Sequence, residues 1–268
     1  MKEIDFDQLK QLQLEILTKV HTFCEDRGLQ YFLAYGTLIG AIRHKGYIPW
    51  DDDIDIMMPR KDYDLFIRSF NGNVKDLVVI SPELDNNYYA PYANVSDTRT
   101  ILKEPTTSHR GLELGVKIDV FPLDSVPQDI SEYDSFMNKM VKYNEILRYK
   151  RRRILKCTGI KMKCRVLINK MLYCGMSYSM VQRNIIRMIE KEKDYNSRYV
   201  DCAVFPAYKK KRFERALLES VVKVEFEGVL LNAPVGYDKI LRIIYGDYMQ
   251  VPPKEMQIGH HGFTAYWK

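Results

Sequence analysis

The sequence predicts an α+β architecture: a mixed β-sheet flanked by helices, with an additional helical, basic segment at 131–200 inserted in a single domain that spans 1–268. Three observations predict it. Apolar runs of strand length, bounded by glycine and proline, recur between residues 31 and 121. Longer stretches between and after them place apolar residues at helical spacing. Positive charge is concentrated in one block: twelve Lys and Arg fall between Glu145 and Glu190 with no acidic residue among them, although the whole chain carries only +6. The remainder is therefore net acidic, and one segment holds the basic excess.

Taken in order, residues 4–27 place Leu9, Leu12, Ile16, Val20 and Phe23 on one helical face, and Gly28 is suited to end that helix. Tyr31 to Tyr35 reads as a strand, Gly36-Thr37 as a turn, Leu38 to Arg43 as a short helix, Lys45 to Trp50 as a loop and Asp53 to Met57 as a second strand closed by Pro59. A helix follows from about Lys61 to Phe70. Leu77–Ser81, Tyr92–Asp97 and Val116–Phe121 are strand candidates, the last ended by Pro122, and 98–115 reads as a polar loop within reach of a substrate. Ser131 to about Lys156 and Ser179 to Tyr195 are helical. Val221–Phe226 and Val229–Leu231 form a hairpin around Glu227-Gly228, Tyr237 to Ile244 a last helix, and the remainder a polar tail.

Composition excludes several classes. No apolar run reaches 18 residues, so no membrane-spanning helix is expected. The first residues lack the apolar centre of a signal peptide. Five scattered cysteines with no Cys-x-x-Cys pair fit a reduced, cytoplasmic protein; a zinc site from Cys157, Cys164 and Cys174 would have spacings that match no common template.

The chemistry concentrates in residues 36–55. On a strand, Asp53 and Asp55 face one side while Ile54 and Ile56 enter a core. Two neighbouring carboxylates repel unless a cation lies between them, which points to a divalent metal, Mg2+ or Mn2+. Gly36-Thr37 at a strand-to-helix turn would offer backbone donors to phosphate oxygens. Asp119, flanked by Ile118 and Val120, is a third carboxylate in an apolar strand, fit to complete the coordination or accept a proton. Arg43, His44 and Lys45 follow closely enough to neutralise phosphate charge. Asp247 lies in a turn after the last helix, and His260-His261 in the tail; both read equally as surface features or as substrate contacts.

These residues resemble a known family. The block Gly-Thr-Leu-Ile-Gly-Ala-Ile-Arg-His-Lys-Gly-Tyr-Ile-Pro-Trp-Asp-Asp-Asp-Ile-Asp-Ile at 36–56 is similar to the signature of LicD-type phosphotransferases, relatives of fukutin within the nucleotidyltransferase-fold superfamily. Lys-Ile-Asp-Val-Phe-Pro-Leu-Asp (117–124), Tyr-Gly-Asp-Tyr-Met (245–249) and His260-His261 match in the same order. The resemblance implies a nucleotidyltransferase-like fold and a metal site at Gly36, Thr37, Asp53, Asp55 and Asp119, with Asp51 in a place where fukutin-type enzymes also have an acidic residue. It implies transfer of phosphocholine from CDP-choline, or of a phospho-alditol from a donor such as CDP-ribitol, to a sugar hydroxyl of a surface glycan or its lipid-linked precursor, with release of CMP. The basic segment, residues 148–187 above all, then suits peripheral contact with the inner face of the membrane or with an anionic acceptor, and no nucleic acid is expected. The rival readings are transfer of the nucleotide itself with release of pyrophosphate, and a non-catalytic binding protein of the same fold.

Overall fold

The chain is seen in a computed structural model that describes residues 1–85, 88–104, 112–206, 212–259 and 262–268. The first part of the chain comprises β1 (Glu3–Ile4), α1 (Phe6–Arg27), β2 (Phe32–Leu33), α2 (Tyr35–His44), β3 (Asp55–Pro59), α3 (Arg60–Ser69) and β4 (Leu77–Ile80). Next come β5 (Ala93–Asp97), β6 (Thr100–Lys103), β7 (Lys117–Ser125), α4 (Ile130–Arg151), α5 (Ile160–Leu172) and α6 (Tyr178–Lys191). The last part holds β8 (Tyr199–Asp201), β9 (Phe213–Glu214), β10 (Val221–Phe226), β11 (Val229–Pro234), α7 (Tyr237–Tyr245) and β12 (Thr264–Trp267).

The central sheet runs β2-β3-β7-β5-β4, with β8 and β9 added beside the far end of β7. Only β3 and β7 are parallel; their neighbours run antiparallel, so the sheet is mixed as expected. Period-two alternation gives it two different faces. Ile54, Ile56, Met58, Ile118 and Val120 enter a core closed by Leu12, Ile16 and Val20 of α1 and by Tyr63 and Phe66 of α3. Met57, Phe121 and Leu123 enter a second core closed by Tyr133, Phe136 and Met140 of α4, by Val181 and Ile185 of α6, and by Ile240 and Ile244 of α7. On this second face Asp55 and Asp119 occupy the positions before Met57 and Phe121, so apolar packing gives way to carboxylates at one end of the sheet.

Several boundaries differ from those the sequence suggests. The second central strand starts at Asp55, so Asp53 lies in the segment entering it. The Asp52 carbonyl of that segment is taken by Gln13, whose Nε2 donates to it at 2.9 Å, and the ladder to β7 begins with the Asp119 N–H on the Ile54 carbonyl at 2.9 Å. Helix α2 starts at Tyr35, so Gly36 and Thr37 form its first turn instead of a turn before it. Pro122 lies inside β7, past the end of its pairing with β5, where a missing N–H leaves no ladder bond unmade on that side. Part of the expected loop at 98–115 is β6, and the tail ends in β12, inserted between β1 and β6. In the basic segment, α4 stops at Arg151, and Tyr149, Cys157 and Val166 form a small core of their own beneath α5.

Candidate active site

The first turn of α2 is shaped around an anion. A Cβ at Gly36 would sit 2.6 Å from Asp51 Oδ2, so the carboxylate rests against bare backbone where the helix dipole favours negative charge. Tyr35, at the start of that turn, has φ of 45°, a left-handed conformation that is strained for a residue with a Cβ. Its buried ring is held against Phe121 and Phe205, at centroid distances of 5.4 and 5.8 Å. Thr37 is buried too, and its Oγ1 accepts the Asp55 N–H at 2.9 Å, which fixes where β3 begins.

Asp55 and Asp119 are register partners on parallel strands, so their side chains leave the same face. Asn94, paired with Asp119 across β5 and β7, donates its Nδ2 to Asp119 Oδ1, which also accepts from Lys117 Nζ. Asn94 is held in turn by the Tyr88 hydroxyl. Asp53, Lys117, Asp119, Glu104 and Phe263, together with Leu9 and Gln13 of α1, line a small cavity of about 40 Å³. Burial pushes the Asp55 carboxyl well above the usual carboxylate range, and the charges of Asp53 and Asp119 push it in the same direction. Lys117 is held above the usual ammonium range: burial works against its charge, and the Asp119 carboxylate more than offsets that.

Crowded hard oxygens suit Mg2+ or Mn2+, which would relieve the repulsion that raises Asp55. Among the described residues, the carboxylates whose ligand atoms all lie within 4.8 Å of one another are Asp51, Asp52 and Asp53. Asp53 therefore belongs both to this group and to the charges that act on Asp55. Cys157 is buried while Cys164 and Cys174 are exposed, and no metal-capable group among the described residues includes them.

The basic residues that follow Gly36 lie at the other end of α2, about 10 Å away by helical rise. Arg43 donates Nη1 to the carbonyls of Tyr248 (2.7 Å) and Gln250 (3.2 Å), and Nε to His44 Nε2 (2.9 Å). It thereby ties the end of α2 to the turn that contains Asp247, an exposed residue. Burial and the Arg43 charge lower the His44 pKa. Lys45 caps α2 in a left-handed conformation, with its ammonium 3.6 Å from Glu225. His260 and His261 lie outside the described residues. Gly259, just before them, is close to the Trp50 carbonyl, so the tail passes beside the loop that leads into the aspartates.

Several positioning residues carry little signal in the sequence. Gln13 is a buried polar residue on the apolar face of α1; its Nε2 donates to the Asp52 carbonyl and its Oε1 accepts from the Tyr47 hydroxyl at 3.4 Å. At Gly40, a Cβ would collide with the Gly46 carbonyl, so glycine lets the loop fold back onto α2. Glu227, in the β10–β11 turn with φ of 49°, accepts the Tyr47 N–H at 3.0 Å and donates its own N–H to the Lys45 carbonyl at 2.8 Å. Lys117 could have been suspected from its place two residues before Asp119, on the same strand face; the others depend on tertiary approach.

With this geometry in view, comparisons with known proteins converge. Residues 28–144 match the family model described as LicD/FKTN/FKRP, nucleotidyltransferase domain. The chain is 29% identical over 270 residues, 99% of both chains, to the lipopolysaccharide cholinephosphotransferase LicD of Haemophilus influenzae. A shorter stretch of 63 residues is 35% identical to an uncharacterised protein of Rickettsia typhi, covering 23% of this chain and 20% of that one. A stretch of 79 residues is 33% identical to mannosyltransferase regulator 4 of Saccharomyces cerevisiae, covering 30% of this chain and 6% of the yeast protein.

Proposed function

We propose that this chain, whose residues 28–144 match a LicD-type nucleotidyltransferase domain, transfers phosphocholine from CDP-choline to a sugar hydroxyl of a cell-surface glycan or its lipid-linked precursor, releasing CMP. The observation that carries the reading is the meeting of Asp55 and Asp119 on one sheet face, beside Asp53 and a helix start bared by Gly36. The end-to-end likeness to a cholinephosphotransferase supports choline among the possible head groups.

In this reading the acceptor oxygen bonds to the phosphorus bearing choline as the bond from phosphorus to the CMP oxygen breaks. A carboxylate facing the acceptor, Asp119 or Asp55, takes the hydroxyl proton. Asp53 and Asp55, with Asp119 or the adjoining Asp51 and Asp52, would hold Mg2+, which supplies charge neutralisation at the phosphates. Lys117 keeps Asp119 in place and adds positive charge near the donor. Thr37 holds the start of β3 against the first turn of α2. The test incubates the protein and Mg2+ with an acceptor glycan and, in turn, CDP-choline, CDP-ribitol, CDP-glycerol and CDP-ethanolamine. CMP release dependent on CDP-choline is expected; pyrophosphate release with a nucleotide-tagged product would replace this reading with nucleotide transfer.

The basic segment supports a second element of the proposal, peripheral contact with the cytoplasmic face of a membrane carrying the acceptor. Around α5, Leu155 is 90% exposed, Ile160 80%, Leu172 69% and Met171 67%, interleaved with Lys161, Lys163, Arg165 and Lys170. No helix among the described residues is long and apolar enough to cross a membrane. Cosedimentation with anionic vesicles, reduced by Leu172→Glu, is the expected result. Equal recovery with zwitterionic vesicles would remove the electrostatic part, and retention on nucleic acid instead would redirect the segment to another partner.

A further inference from the structure

Beside the carboxylates, between the outer end of α4 and the segments entering β5 and leaving β8, lies a pocket of about 310 Å³ to which the transfer step assigns no role. Tyr89, Tyr92 and Phe205 supply aromatic walls, and Glu145, Arg148 and Arg151 of α4 supply charge. Resting on the phosphocholine-transfer reading, we propose that this pocket holds the quaternary ammonium of the choline head group, and thereby selects a cationic donor over an alditol one.

The aromatic walls are preorganised. Tyr92 packs on Phe121 with centroids 4.4 Å apart, Phe205 packs on Phe121 at 5.1 Å, and Tyr92 meets Phe205 edge-to-face at 5.9 Å. Rings fixed in this way present π-faces and edges without ordering cost, which is what a trimethylammonium group needs, since it cannot donate a hydrogen bond and binds by cation–π attraction and dispersion. The pocket already receives one cation on a ring: the Arg151 guanidinium lies 4.8 Å from the Tyr89 centroid. Glu145 contributes a carboxylate, which Arg148 approaches at 3.5 Å. Walls of both signs match a zwitterion, with its ammonium among the rings and Glu145 and its phosphate toward the arginines.

The pocket also adjoins the reaction centre. Phe121 follows Asp119 by two residues on the same face of β7, so the ring that supports Tyr92 and Phe205 neighbours the carboxylate. From the other side, the Tyr88 hydroxyl binds Asn94, which binds Asp119. A head group seated against Tyr92 is thus one short linker from a phosphorus placed at Asp119. The rings themselves touch no reacting bond and act as specificity determinants.

The experiment titrates the full chain with choline chloride, and in parallel with its uncharged isostere 3,3-dimethyl-1-butanol, while following aromatic and trimethyl proton signals. CMP binding is measured on the same samples as a control for folding and for the nucleotide end of the site. Choline is expected to bind about tenfold more tightly than the isostere, Phe205→Leu and Glu145→Gln to weaken choline several-fold, and Glu145→Gln to leave CMP affinity unchanged. Equal binding of choline and isostere, or unaltered choline affinity in both variants, would overturn the proposal even if CDP-choline is turned over normally. Choline binding with the expected variant effects, but without CDP-choline turnover, sustains the pocket and overturns the donor reading instead. Phe205→Tyr, which keeps a ring in place, is expected to restore choline affinity; failure of that rescue alongside normal CMP binding would also count against an aromatic role.

Discussion

Asp55 and Asp119 stand directly opposite each other on the parallel strands β3 and β7, and Asp119 forms a direct ion pair with Lys117. Burial and the like charges of Asp53, Asp119 and Asp51 outweigh the Lys117 charge and hold the Asp55 carboxyl well above its usual range. A carboxyl raised in this way stabilises the fold least once pH is high enough to ionise it, so the protein without metal is expected to lose stability as pH rises through that range. Mg2+ would reverse the trend, because it binds the ionised form.

The first prediction follows from that pairing. Asp55→Asn is expected to raise the melting temperature in the absence of metal by a few degrees, because it removes one member of the carboxylate crowd. In the same variant the stabilisation by Mg2+ should largely vanish, and CMP release should fall roughly a thousandfold. Thermal melts with and without Mg2+ and a CMP-release assay check all three. Unchanged metal response would take Asp55 out of the coordination set.

A second prediction concerns the loop that delivers the aspartates. Gly40→Ala would drive a methyl group into the Gly46 carbonyl and the Ile48 N–H, and the helix cannot yield without moving the loop. Its cost is expected at roughly 1–3 kcal/mol by urea unfolding. Glu227→Ala should cost less stability, about 1 kcal/mol, since it removes the bond to the Tyr47 N–H at a partly open site. Because that bond helps fix 45–51, Glu227→Ala is expected to lower turnover more than it raises the KM for the donor.

Much of this fold was legible in the sequence, and the reasons differ element by element. The two-faced sheet could be read because Ile54, Ile56, Ile118 and Val120 alternate with polar or differently packed residues, and a period of two has one meaning on a strand. Helices α1 and α6 could be read from the spacing of Leu12, Ile16 and Val20 and of Val181, Ile185 and Ile189. What escaped depends on contacts between distant segments. Asp53 left the strand because Gln13, 39 residues from Asp52, competes for its neighbour's carbonyl. Tyr35 joined the helix because Phe121 and Phe205 hold its ring in place. The composition of the site was visible in the spacing of its aspartates, and Lys117 is suggested by its place two residues before Asp119; Asn94 became visible only once β5 and β7 were paired.

A third prediction isolates pH. Asp201 is buried with its carboxylate accepting the Tyr133 hydroxyl at 2.6 Å, and burial pushes its pKa up to about 7. A carboxyl that titrates normally when unfolded but near 7 when folded binds more protons in the native state between those values. Stability therefore falls as pH rises from about 4 to about 7 and levels off above it. Asp201→Asn keeps an acceptor for Tyr133 and removes the titration. Relative to the parent it should be more stable at pH 8 than at pH 5, by a difference of roughly 1–4 kcal/mol in urea unfolding. An equal difference at the two pH values would mean that Asp201 ionises normally in the fold.

The last prediction decides what Arg43 does. Its position seven residues after Gly36 invites a role at the donor phosphates, yet its Nη1 is engaged by the Tyr248 and Gln250 carbonyls and its Nε by His44. Those bonds join α2 to the turn after α7. The guanidinium geometry matters here, since two carbonyls and a ring nitrogen are reached at once from one planar fork. Arg43→Lys keeps the charge and loses the fork. If Arg43 holds the turn in place, Arg43→Lys and Arg43→Ala should destabilise the protein alike, by roughly 1–3 kcal/mol, with the KM for CDP-choline little changed. If it serves the phosphates as a charge, Arg43→Lys should retain most activity while Arg43→Ala raises the KM about tenfold or more. Urea unfolding and donor KM measured on both variants separate the two, and the carbonyl contacts favour the first outcome.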